Sequence, residues 1–296
     1  MRVCLAAIAV CRADAMLRDT AKNLARRAIP RGMRNWLRSP AKSIHWLADE
    51  IRFSVGDVEQ LDVTDSFSLR CHPHAKKVFR QSQMDDPDQT TEFQHFIRYC
   101  SPKMFLFDIG AHFGIFSLAA AKSGGRALAI DPSPVAVKMI ARLIQLNECK
   151  NQVRAICAAA SDHSGTLELL DTGVFSDGYF MSGHTRQKQE LTVTKAVTID
   201  ELAALHGAPT HIKIDVEGAE AFVLRGGQRT LRDHPVVLFV ELHNDMVAAE
   251  NRDPREAPDF LNSLGYRLRD HLGQELTAPA LFQKPIIRVV ANRGAA

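Results

Sequence analysis

Asp108, Asp131, Asp162, Asp215 and Glu241 each fall at or just after a short apolar run, and His243 follows Glu241 closely. Runs of that length read as strands, so these side chains belong at strand ends. Carboxylates there can accept hydrogen bonds from sugar hydroxyls, face a cation or take up a proton. An imidazole among them can act as a base near neutral pH. Asp131 lies about 20 residues after a glycine turn, where an acid can hold both ribose hydroxyls of an adenosine-type ligand. Asp108 stands directly beside that turn. It would repel a pyrophosphate but suit a cationic amino group.

The turn lies in Lys103–Ser117, KMFLFDIGAHFGIFS. Met104–Phe107 reads as a buried strand, Gly110 and Gly114 bracket a tight turn, and apolar residues from Ile115 onward recur at helical spacing. Strand, glycine turn and helix together form a nucleotide-binding construction. The glycines admit close backbone approach, and the helix N-terminus offers N–H groups to polar ligand atoms. Gly110-Ala111-His112-Phe113-Gly114 lacks the third glycine of a dinucleotide fingerprint. No Lys-Ser/Thr pair follows, which excludes a Walker phosphate loop.

From residue 104 strands and helices alternate. Expected strands are Met104–Phe107, Ala127–Ile130, Val153–Ala158, His211–Ile214 and Val236–Glu241. Helices Ile115–Lys122, Pro134–Leu146, Ile199–His206, Glu217–Leu224 and Pro258–Leu264 fall among them. Extended stretches at Gly165–Leu170 and Leu191–Val197, and strands Tyr266–Arg269 and Ile286–Val290, complete the pattern. Alternation with short connections predicts an α/β sheet, mostly parallel, with helices on both faces. Ahead of it, residues 1–55 read as basic amphipathic helices packed on the domain. Ile51–Val55, Phe67–Arg70 and Val78–Phe79 read as short strands, and Thr91–Tyr99 as a helix. Nothing in 51–100 carries recognisable chemistry, and His72 and His74 read as surface loop residues. The division expected is 1–100, an N-terminal extension, and 101–296, the catalytic domain.

A net charge of +3 gives no support to a nucleic-acid role. The six cysteines form no CxxC pair, so a reducing, cytoplasmic compartment is expected. Val3–Val10 after Arg2 is short for a secretory leader, and Arg12 and Asp14 sit where a cleavage region is usually uncharged. No stretch reaches the ~18 apolar residues of a transmembrane helix.

FDIGAHFGIFSLAAA (107–121), AIDPSP (129–134), Leu146-Asn147, AASDHSG (159–165), VTIDEL (197–202), HIKIDVEGAEAFVLRGG (211–227) and FVELH (239–243) occur in one order. In that order they resemble the FkbM family of S-adenosylmethionine-dependent methyltransferases, over about residues 105–270. The resemblance implies a class I methyltransferase (Rossmann-like) fold: seven strands, the last antiparallel. It implies S-adenosyl-L-methionine as cofactor and, most often, methyl transfer to a hydroxyl on a sugar, glycan or polyketide-like molecule. Asp108, Gly110, Ala111, His112 and Gly114 would then shape the cofactor pocket. Asp131 would bind the ribose, and Ser161 and Asp162 would lie near the adenine. His112 departs from the family, which usually has Asn there. Imidazole can replace an amide as donor, but its charge depends on pH.

A hydroxyl acceptor must lose its proton, which needs a base within hydrogen-bond reach. The expected base is His243, oriented by Glu241 or Asp215. Glu220 is expected only to favour a helix N-terminus through its dipole. Alternatively, Asp215, Glu217, Glu241 and His243 could hold a divalent cation, although the resemblance implies no metal. The glycine- and aromatic-rich stretch Thr172–Lys188 is expected to form part of the acceptor pocket. The rival readings are a non-catalytic cofactor-binding domain and an N- or nucleic-acid methyltransferase. The acidic strand ends argue against the first. Asp215-Val216-Glu217-Gly218, standing where an Asn/Asp-Pro-Pro-aromatic motif would lie, argues against the second.

Overall fold

The computed structural model describes residues 51, 54–80, 84–85, 87–171, 179–181 and 191–294. The basic helices expected in 1–55 and most of Thr172–Lys188 lie outside the described residues.

The described chain begins with a hairpin, β1 (Glu59–Thr64) and β2 (Phe67–Cys71), followed by α1 (Pro73–Phe79) and α2 (Pro87–Ile97). Val78 and Phe79 are helical rather than extended. Pro73 sets a helical φ in the first turn of α1, where its missing N–H costs nothing. His72 is buried, its Nδ1 2.9 Å from the Gly56 carbonyl, rather than on a surface loop. Ile51–Val55 forms no strand at its described positions.

Then come β3 (Phe105–Ile109), α3 (Ile115–Lys122), β4 (Arg126–Asp131), α4 (Pro134–Leu146) and β5 (Val153–Cys157). Every residue of β3 is buried, as befits a parallel strand covered on both faces. Ser133 caps α4, its Oγ accepting from the Ala136 N–H at 3.2 Å with Pro134 in the first turn. A separate four-stranded sheet follows, built from β6 (Ala159–Ala160), β7 (Gly165–Asp171), β8 (Tyr179–Met181) and β9 (Leu191–Val197) in the order β6-β9-β7-β8.

The chain returns through α5 (Ile199–His206), β10 (His211–Ile214), α6 (Glu220–Arg225), α7 (Gln228–Asp233) and β11 (Val237–His243). It ends with α8 (Asn244–Ala249), α9 (Glu256–Ser263), β12 (Arg267–Arg269), α10 (Ala278–Leu281) and β13 (Ile286–Asn292). Helix α6 starts at Glu220 rather than Glu217. Glu217 (φ 53°) and Gly218 (φ 95°) are left-handed, which a helix does not admit.

The main sheet has seven strands in the order β12-β13-β11-β10-β3-β4-β5. Only β13 runs against the rest, pairing antiparallel with both β11 and β12. This is the class I methyltransferase order. The strand sequence reverses between β3 and β10, whose registers align Lys213 with Asp108 and Ile214 with Ile109. A crevice opens beyond the carboxyl ends of strands at such a reversal.

Within the compact unit Arg52–Ala296, the hairpin β1–β2 and helices α1 and α2 share this core. Phe93 packs edge-on against Phe67 and Phe116, each at 5.3 Å. Phe96 meets Phe116 at 4.9 Å and Phe239 at 5.1 Å. Phe93 and Phe96 are fully buried, each worth about 2–3 kcal/mol of apolar transfer. The Asn147 amide accepts from the Arg70 N–H at 2.8 Å and donates to the Arg70 carbonyl at 2.9 Å, tying β2 to the end of α4.

Candidate active site

The turn after β3 spends most of its N–H groups within the protein. Those of Gly110 and Ala111 donate to the Ile130 carbonyl at 2.9 and 3.1 Å, and that of Gly114 to the Ala111 carbonyl at 2.6 Å. The His112 N–H donates to Asp131 Oδ2 at 2.8 Å, and the Ser117 N–H, in the first turn of α3, to Asp108 Oδ2 at 3.0 Å. The first turn of α3 was expected to offer N–H groups to a ligand, yet Ser117 gives its own to Asp108. These N–H groups are therefore not free to cradle a phosphate, and the carboxylates of Asp108 and Asp131 lie beside the turn.

Gly110 has φ 76°, and a Cβ there would lie 1.7 Å from the Asp215 carbonyl oxygen. The ends of β3 and β10 touch through this glycine. His112 has φ 50°, in the left-handed region that Asn, Asp and His tolerate best, so the imidazole stands there with little strain. Its ring lies 3.7 Å from that of Phe113, which meets Phe79 of α1 at 5.5 Å.

Asp108 and Asp131 are buried. Burial pushes Asp108 up to about 6, against hydrogen bonds from the Ser117 hydroxyl (2.7 Å) and N–H. Burial likewise pushes Asp131 up to about 7, against the Ser133 and His112 N–H groups, with the Asp108 and Asp215 charges adding to the rise. Asp108, Asp131 and Asp215 thus feel one another across the crevice. Ser161 and Asp162 are held at another corner. The Ser161 N–H donates to the Val197 carbonyl at 2.9 Å, and its own carbonyl lies against Gly226. Asp162 turns to His163 at 2.7 Å, a hydrogen bond that lowers its pKa.

His243 ends β11 and is 2% exposed. Its Nδ1 is 2.8 Å from Glu220 Oε1, which also accepts from the Gly218 N–H at 2.9 Å. Its Nε2 faces Glu217 Oε2 at 3.4 Å, and Asp215 Oδ1 and Glu241 Oε1 each at 3.8 Å. Burial opposes the imidazolium, but the Glu220 hydrogen bond and the Asp215, Glu220 and Glu217 charges outweigh it, pushing His243 up to about 9. The carboxylate hydrogen-bonded to the imidazole is Glu220, whereas Asp215 and Glu241, expected to orient it, stand 3.8 Å from Nε2. A helix-first glutamate directed inward at a histidine does more than favour a dipole.

Glu241 is engaged elsewhere: Arg288 Nε lies 3.2 Å from its Oε2 and Nη2 3.0 Å from its Oε1. Lys213, 2% exposed, places Nζ 3.2 Å from Glu92 Oε1, 3.6 Å from Asp215 Oδ2 and 3.8 Å from Glu241 Oε2. Burial works to neutralise this ammonium, and the three carboxylates hold its proton above the usual lysine range. Burial also acts to raise Asp215, but the Lys213 and His243 charges keep it below the usual carboxylate range. Asp215, Glu241 and His243 can bring one ligand atom each within 4.8 Å of one another, a spacing a metal ion could use. Arg288 and Lys213 already supply cationic charge to both carboxylates.

Glu92, Lys213 and Arg288 escaped the sequence reading, and Glu220 was expected only as a helix-dipole acid. A signal was present: Lys213 and Arg288 interrupt apolar strands, and a buried cation requires carboxylate partners. Glu92 carried no such mark.

Among solved structures, the chain resembles a methyltransferase FkbM from Methylobacillus flagellatus KT (16% identity, TM-score 0.43), covering 65% of this chain and 44% of that one. The chain thus matches less than half of that protein's length. A precorrin-6y C5,15-methyltransferase from Geobacter metallireducens GS-15 aligns at 12% identity and TM-score 0.42, over 71% of this chain and 90% of its own. An rRNA methylase from Streptococcus thermophilus aligns at 9% identity and TM-score 0.42, over 70% and 97%. No curated protein sequence matches the chain. Residues 108–268, more than half of the chain, match the FkbM methyltransferase domain. That span starts at the acid before the glycine turn and takes in Asp131, Asp215, Glu220 and His243, and the chain belongs to the FkbM methyltransferase family.

Proposed function

We propose that this protein methylates a hydroxyl oxygen of an uncharged small molecule or glycan, sugar-like or polyketide-like, with S-adenosyl-L-methionine as donor. The observation that carries this reading is His243, locked at Nδ1 by Glu220 and turned at Nε2 toward carboxylates at the mouth of the crevice. The donor set fits the cofactor: internally satisfied N–H groups and buried acids suit ribose hydroxyls and cationic groups rather than pyrophosphate. Asp131 would hold the ribose, Asp108 the amino group, Gly110–Gly114 the wall of the pocket, and Ser161 and Asp162 the adenine edge. The cofactor, when bound, supplies an electrophilic methyl group.

His243 in its neutral form takes the acceptor proton at Nε2, and Glu220 stabilises the imidazolium that results. Asp215 and Glu217, partly exposed at the mouth, accept hydrogen bonds from neighbouring hydroxyls and orient the acceptor. Their charge repels phosphates, which favours a neutral acceptor over nucleic acid. Cys71, Cys100, Cys149 and Cys157 are free thiols, in keeping with a cytoplasmic setting, and among the described residues no helix is long and apolar enough to cross a membrane.

His243→Gln tests the assignment. It should bind S-adenosylhomocysteine like the parent in calorimetry and lose labelled methyl transfer to a panel of hydroxylated acceptors. Surviving activity would remove His243 from the mechanism. A parent protein that does not bind S-adenosylhomocysteine would remove the cofactor.

A further inference from the structure

The family match begins at Asp108, yet one carboxylate of the charged centre lies before it. Glu92 sits on α2 and is 8% exposed. Its Oε1 is 3.2 Å from Lys213 Nζ and its Oε2 3.1 Å from Arg288 Nε. Each of these cations is shared with the site: Lys213 reaches Asp215 and Glu241, and Arg288 grips Glu241. Removing the Glu92 charge would leave both cations to be drawn toward Asp215 and Glu241, the carboxylates that face His243. Helix α2 cannot easily drift to compensate. Phe96, one turn after Glu92 on the same helix face, is locked between Phe116 and Phe239.

We infer that Glu92 is a positioning residue: through Lys213 and Arg288 it fixes Asp215 and Glu241 opposite His243, so that α2 completes the active centre of the family domain. The inference rests on the function proposed above for its kinetic arm but not for its spectroscopic one.

Glu92→Gln keeps the shape and removes the charge, Glu92→Asp keeps the charge, and Phe96→Leu loosens α2 without touching either. The expected kinetic result is a kcat about tenfold lower in Glu92→Gln, with KM and S-adenosylhomocysteine affinity within about threefold of the parent. Glu92→Asp should recover much of this loss. In cofactor-free protein, the His243 imidazole is followed by NMR, its resonance assigned with His243→Gln. Its surroundings are Asp215, Glu217, Glu220 and Glu241, with Lys213 and Arg288 behind them. Loss of the Glu92 charge should lower its titration midpoint by about half a pH unit or more. An unmoved midpoint overturns the inference whether or not an acceptor has been found. Equal kinetic losses in Phe96→Leu and Glu92→Gln overturn it too, since α2 docking would then be the cause. If the parent binds no S-adenosylhomocysteine but the midpoint moves, the functional reading fails and the positioning role stands.

Discussion

Replacing Glu220 by Gln probes the centre of the site while preserving its shape. One oxygen, Oε1, accepts from the Gly218 N–H and meets His243 Nδ1. A glutamine Oε1 can make both contacts, so the substitution removes chiefly charge. His243 holds its proton up to about 9, against 6.5 for a histidine in the unfolded chain. That difference corresponds to about 3 kcal/mol of folding stability. The folded state binds the proton more tightly, so the contribution is complete below pH 6.5 and is lost as pH rises through 9. Asp215 and Glu217 also support the imidazolium, and Glu220 should account for roughly half, or about 1–2 kcal/mol. Urea unfolding of parent and variant at pH 6.5, 8 and 9.5 measures this directly. The stability gap should be widest at pH 6.5 and narrow toward pH 9.5. A gap that stays constant with pH would show that Glu220 does not hold the proton on His243.

Gly110→Ala should cost more than about 3 kcal/mol in thermal or chemical unfolding, because its Cβ would meet the Asp215 carbonyl at 1.7 Å. Gly165→Ala, with φ 140° but no atom within 4 Å of the added carbon, should cost only about 1 kcal/mol and serves as the control. At His112, Asn should leave stability within about 0.5 kcal/mol, whereas Val, poorly suited to φ 50°, should cost about 1–2 kcal/mol by the same assay. The pH dependence of kcat/KM should rise about tenfold per pH unit and level off near 9, following deprotonation of His243. A profile flat from pH 6 to 9 would count against His243 as the base.

The α/β alternation and the acidic strand ends were legible because short apolar runs followed by glycines or acids have few other folded solutions. Asp108, Asp131, Asp215 and His243 do gather at the strand reversal. Less was legible where a side chain's meaning depends on a distant partner. Glu220 looked like a helix-starting acid because its partner His243 is 23 residues away. Glu92 lies 196 residues from Arg288, so nothing in its own neighbourhood announces the pairing. The helix expected from Glu217 failed at two left-handed residues that no hydrophobic period reveals. At Val78–Phe79, expected as a strand, the Pro73 helix start overrides the β-propensity of Val and Phe.

The Asn147 clasp on Arg70 has a consequence beyond holding the hairpin. A side-chain amide offers one donor and one acceptor in the same plane, as a peptide group does. At Arg70 it occupies the backbone N–H and carbonyl that a neighbouring strand would otherwise take. A two-stranded ribbon with a bare outer edge invites another chain to add itself there. With a single asparagine the fold closes part of that edge, which makes Asn147 a guard against edge-to-edge association.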